Sequence, residues 1–118
     1  MWKIELFVKE NGRCPVNDFL DELSPRKDLP YIQLKFNMLA EHGYQLDRPH
    51  AAYLGDDIYE LRVKTINGQI RFFYFFFVGN MIVVTHGVKK KTAKMPESEK
   101  EQAVAYRSVY YKRHGMKA

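Results

Sequence analysis

A chain of 118 residues, 46% apolar and 28% charged, can bury one ordinary core, which excludes a disordered polymer and predicts a single domain over residues 1–118. The formal net charge of +5 points to an acidic partner such as RNA, DNA or an acidic protein. The one cysteine, Cys14, excludes an internal disulfide or a cysteine zinc site and suits a reducing, cytoplasmic setting.

Taken in order, Trp2 to Val8 alternates in part and predicts a strand, closed by the turn signal Asn11-Gly12. Its charged opening is no signal peptide. Pro15 suits a first helical turn, and Val16, Phe19, Leu20 and Leu23 recur at helical spacing until Ser24-Pro25 stops the run. A second helix is expected from Asp28 as N-cap, with the stripe Leu29, Ile32, Phe36, Leu39 and Ala40 and with Gly43 just past its end. Tyr44 to Asp57 reads as a loop, broken by Pro49 and Gly55-Asp56. Three strands follow between Ile58 and Val88, joined at Asn67-Gly68 and Gly79-Asn80, both expected as two-residue hairpin loops. The apolar run Phe72 to Val78 is too short to cross a membrane as a helix. Pro96 opens a last helix with acidic residues in its first turn and Lys112, Arg113 and His114 at its end. The fold class is therefore α+β: a small antiparallel sheet with two N-terminal helices and one C-terminal helix.

The two turns fix an expected register. Lys64 would lie opposite Arg71, Arg62 opposite Phe73, Phe73 opposite His86, Phe75 opposite Val84 and Arg71 opposite Val88. One face would carry Glu60, Arg62, Lys64, Arg71, Phe73, Phe75 and His86; the other Leu61, Val63, Phe72, Tyr74, Phe76 and Val83. Arg62 and Arg71 present planar forks matched to phosphate oxygens, although Arg62 could equally pair with Glu60 on its own strand. Lys64, Lys89, Lys90, Lys91 and Lys94 could contact backbone phosphates, and Phe73 and Phe75 could stack on a base or form core under the last helix. His86 is a candidate acid or base. No P-loop, zinc-ligand spacing, paired-carboxylate motif or nucleophile elbow is present, so no metal or other cofactor is expected.

The segments YELRV, IRFFYFF and HGV-KKKTAKMP, with FLDEL and the Leu39–Gly43 helix end, resemble the RelE/HigB superfamily of toxin–antitoxin toxins, in its phage-related HigB-like branch. The most specific piece is the tail Lys90, Lys91, Thr92, Lys94 and Pro96. The resemblance implies a compact RelE-like α+β fold and metal-free endoribonuclease activity on mRNA, commonly on the ribosome. It also implies a cognate antitoxin with a helix-turn-helix DNA-binding domain. Arg62, Arg71 and the Lys90/Lys91 pair match the superfamily's functional positions. Cleavage through the RNA's own 2′-hydroxyl needs a base, cations at the phosphorane and an acid for the leaving oxygen. Arg62 and Arg71 would supply charge, and Lys90, Lys91 or His86 the base. Two other classes stay open: a non-enzymatic ParE-like gyrase inhibitor, and a plain nucleic-acid-binding module.

Overall fold

The computed structural model describes residues 1–91 and 93–116, so Thr92 of the basic tail lies outside the described residues. The chain runs β1 (Lys3–Leu6), α1 (Pro15–Asp21), α2 (Leu29–His42), β2 (Ala51–Gly55), β3 (Ile58–Thr65), β4 (Gly68–Phe77), β5 (Met81–Lys90) and α3 (Glu97–Arg113). The five strands form one sheet in the order β1-β5-β4-β3-β2. The α+β expectation holds, but the sheet is mixed, not antiparallel: β1 pairs with β5 in parallel. β5 reaches β1 after two helices and three further strands, so its direction relative to β1 follows from those connections, and no local pattern records it.

Both faces of the sheet are covered, which is why β4 is nearly all apolar. On one side Val16 of α1, Leu23 just after it, and Ile32 and Leu39 of α2 pack on Leu61, Val63, Phe72, Tyr74, Ile82 and Val84. On the other, Ala103 and Tyr110 of α3 pack on Phe7, Ile58, Phe73, Phe75 and Val83. Two-sided burial also explains the residues just after β1, where Phe7 is 1% exposed and Val8, from the expected apolar phase, is 41% exposed.

The segment expected as a loop contains β2, an edge strand. Asp56 and Asp57, both at positive φ, turn it into β3 in the manner of a type I′ hairpin. The β3–β4 turn moves one residue toward the N-terminus. Ile66 and Asn67 are its central residues, neither at positive φ, and Gly68 alone takes the left-handed value, φ +136°. Thr65 Oγ1 accepts the Asn67 N–H, and buried Asp28 accepts the Thr65 hydroxyl and the Asn67 side-chain amide. These bonds draw the turn onto the start of α2. Asp28 stands at the N-cap position as expected, yet its carboxylate serves the hairpin and not the helix.

The β4–β5 connection has three loop residues, not two, and a bulge between Phe73 and Tyr74 absorbs the extra one. Phe73 therefore faces His86 and Arg71 faces Val88 as expected, while Phe75 faces Val83 in place of Val84. Val83, expected over α1 and α2, consequently packs under α3.

Candidate nucleic-acid interface

On the α3 side of the sheet, three cross-strand rows run from the helix outward: Glu60–Phe73–His86, Arg62–Arg71–Val88 and Lys64–Gln69–Lys90. The two-residue shift of the hairpin preserves the faces but changes the partners, so Arg62 and not Lys64 lies opposite Arg71. Like charges opposite each other on a sheet repel, and Glu60 offsets that repulsion. Its Oε2 accepts the Arg62 Nε–H at 2.8 Å, and its Oε1 lies 3.5 Å from Arg71 Nε. Glu60 and Arg71 are both buried, and Arg71 Nη2 donates to Gln69 Oε1 at 2.8 Å. Arg71 Nε itself has no hydrogen-bond partner among the described residues. Burial lowers the Arg71 pKa, Glu60 opposes that shift and Arg62 adds to it. An arginine still stays charged at any ordinary pH.

Arg62, Lys64, Gln69 and Arg71 line one cleft of ≈ 350 Å³ with Lys35 and Pro49. Lys35, from α2, contacts His50 Nδ1 at 2.6 Å, and burial lowers its pKa. The cleft thus gathers two guanidinium groups and two amines around one shared carboxylate, a net positive concavity suited to an anion.

The remaining candidates are placed differently. Lys90 is half-buried on the same face as Arg71, with Gln69 between them. Lys89 and Lys91 join Lys90 along a second cleft of ≈ 590 Å³ at the outer edge of β5, where Lys89 Nζ donates to Ser24 O at 2.7 Å. Lys94 is exposed before α3. Phe73 is fully buried and its ring stacks on His86 at 4.8 Å, so it belongs to the core under α3 and offers no face to a base. His86 is 7% exposed. Its Nδ1 lies 3.0 Å from Thr85 Oγ1 and its Nε2 3.2 Å from Glu99 Oε1, so both ring nitrogens are engaged within the protein. Burial lowers the His86 pKa, against a smaller opposing effect of Glu99. His86 ties β5 to the first turn of α3.

Sequence reasoning missed Gln69, Lys35 and Glu99. Gln69 was legible from strand parity, since it lies two residues before Arg71 on the same face. Lys35 and Glu99 come from helices whose azimuth on the sheet no local pattern states. The chain matches the family described as Phage derived protein Gp49-like (DUF891) over residues 18–107, a span that includes both clefts' strands and most of α3. No curated protein matches it.

Proposed function

The chain belongs to the Phage derived protein Gp49-like family, and from that premise we propose that it is the toxin of a toxin–antitoxin pair, a metal-free endoribonuclease that cleaves mRNA on the ribosome and is held inactive by a cognate antitoxin. The observation that carries this reading is the Arg62–Glu60–Arg71 cluster opening on a basic cleft with Lys64 and Lys35. In this reading the arginines bind the scissile phosphate and stabilise the charge that grows on it as the 2′-oxygen attacks. Gln69 orients Arg71. Glu60 holds the pair at a fixed spacing without cancelling its charge. The base that takes the 2′ proton is Lys90 or Lys91, because His86 has both nitrogens committed inside the fold. The ribosome supplies the orientation of the RNA.

The test is single-turnover cleavage of mRNA on programmed ribosomes, with binding measured in parallel. Arg62→Ala, at the more exposed arginine, should slow cleavage about 10²–10³-fold and weaken binding much less. Equal losses in both would make Arg62 a positioning residue. Intact mRNA with wild-type protein, alongside arrested gyrase supercoiling, would replace the ribonuclease with a gyrase inhibitor.

A further inference from the structure

We propose that the outer edge of β5, beyond Val84, takes up an extended, acidic peptide segment of a partner protein as a sixth strand. β5 runs to Lys90, but β1 pairs with it only from Met81 to Val84 and turns away after the Phe7 N–H reaches Val84 O at 2.9 Å. Among the described residues, no strand pairs with the outer side of β5 past that point. A strand edge without a partner presents a row of backbone donors and acceptors, which other proteins shorten, charge or cover. Here it is charged by lysines and flanked by Phe19 and Ser24, but no strand among the described residues pairs with it: Gly87, Val88, Lys89, Lys90 and Lys91, five consecutive residues of both side-chain parities, line the ≈ 590 Å³ cleft. A cavity over one face of a strand would be lined by one parity, so this one lies along the edge and around the end of β5.

The walls state what kind of strand would fit. Phe19 of α1 and Leu23 just after it stand on one side, and Met95 and Pro96 before α3 on the other. An added strand would alternate its side chains between these two apolar walls, and its backbone would complete the β5 ladder. The rim carries three lysines against Glu22 and Glu99, and Glu99 already contacts His86. The charge left over favours a peptide with acidic residues at its ends. The same lysines would attract RNA, but the apolar walls and the backbone row have no role for a phosphate chain. This inference does not rest on the ribonuclease reading, although the groove shares Lys90 and Lys91 with it.

The experiment is selection from a display library of random short peptides, followed by titration of the winners against the folded protein. The selected peptides should combine alternating apolar residues with acidic ones, and should slow amide exchange across Gly87–Lys91 while leaving the β2 edge unchanged. Two N-methylated versions of one winner, blocked at alternate amides in the two possible phases, give the decisive comparison. In an edge strand only one phase of amides faces β5, so one version should bind at least tenfold more weakly and the other about as well as its parent. Met95→Asp, a surface change in one wall, should weaken binding of the parent peptide. Equal binding of both versions, protection elsewhere on the molecule, or no enrichment over the Met95→Asp protein would each overturn the proposal. Displacement of the peptide by a short single-stranded RNA at equal affinity would assign the groove to nucleic acid instead.

Discussion

At the scale of single residues, the site depends on two buried ionisable groups with opposite situations. Arg71 carries a charge that burial disfavours and that Glu60 beside it offsets. Removing it leaves a buried carboxylate with Arg62 alone, so Arg71→Ala should cost about 3–5 kcal/mol in urea unfolding. Its effect on activity is therefore best read beside Arg62→Ala, whose side chain is 28% exposed. His86 is neutral by burial. The unfolded chain takes up its proton as pH falls through the ordinary value of 6.5, whereas the folded protein resists until a lower pH. Stability should thus decline on acidification from about pH 6.5, and the decline should stop once pH passes the lowered folded value. His86→Gln should flatten that slope. A slope unchanged by the substitution would locate the titration at another group.

At the scale of elements, specific contacts fasten α2 and α3 to the rest of the fold. Gly43 ends α2 at φ +52°, ψ −120°, and a Cβ there would meet Trp2 Nε1 at 1.9 Å. The chain's one tryptophan therefore packs on the end of α2, and the Trp2 N–H donates to Ala40 O at 2.9 Å. Gly43→Ala should destabilise by more than about 1 kcal/mol through backbone strain alone and should shift Trp2 fluorescence in the native state. An unchanged emission spectrum would mean that the indole packs elsewhere. On the opposite face, the Tyr110 hydroxyl donates to Glu5 Oε1 at 2.9 Å and anchors α3 to β1. Tyr110→Phe should cost about 1 kcal/mol. The helices themselves were legible because Pro15, Ser24-Pro25, Gly43 and Pro96 punctuate the sequence. β2 was not, because Pro49 and Gly55 bracket five residues whose strand character comes from pairing with β3.

At the scale of the whole molecule, the positive charge is concentrated where α3 leaves the sheet uncovered. Nucleic-acid affinity should fall with salt, and Lys64→Ala, at an exposed position in the basic cleft, should lower the magnitude of that slope by about one phosphate contact. Among the described residues no helix is long and apolar enough to cross a membrane. The α+β class and the segregation of Arg62 and Arg71 from Leu61, Val63 and Phe72 were readable because strand parity survives a two-residue shift of register. The division of the lysines between two clefts was not readable, since it depends on where β1 stops pairing and on how α1 and α3 stand beside β5.

The bulge at Thr85 has a further consequence for how this chain can change length. Below it the strand keeps the count of a three-residue loop, and above it the count of a two-residue loop. Thr85 is the spare link between them. A chain lacking Thr85 would still align Tyr74 with Val84 and Phe73 with His86, so neither the core under α3 nor the position of Lys90 would slip. It would lose the hydroxyl contacts to Phe73 O and His86 Nδ1, and with them the constraint on one ring nitrogen. A single-residue deletion, which in most strands inverts every side chain beyond it, would here leave the basic end in phase and confine its effects to the buried surroundings of Thr85 and the histidine.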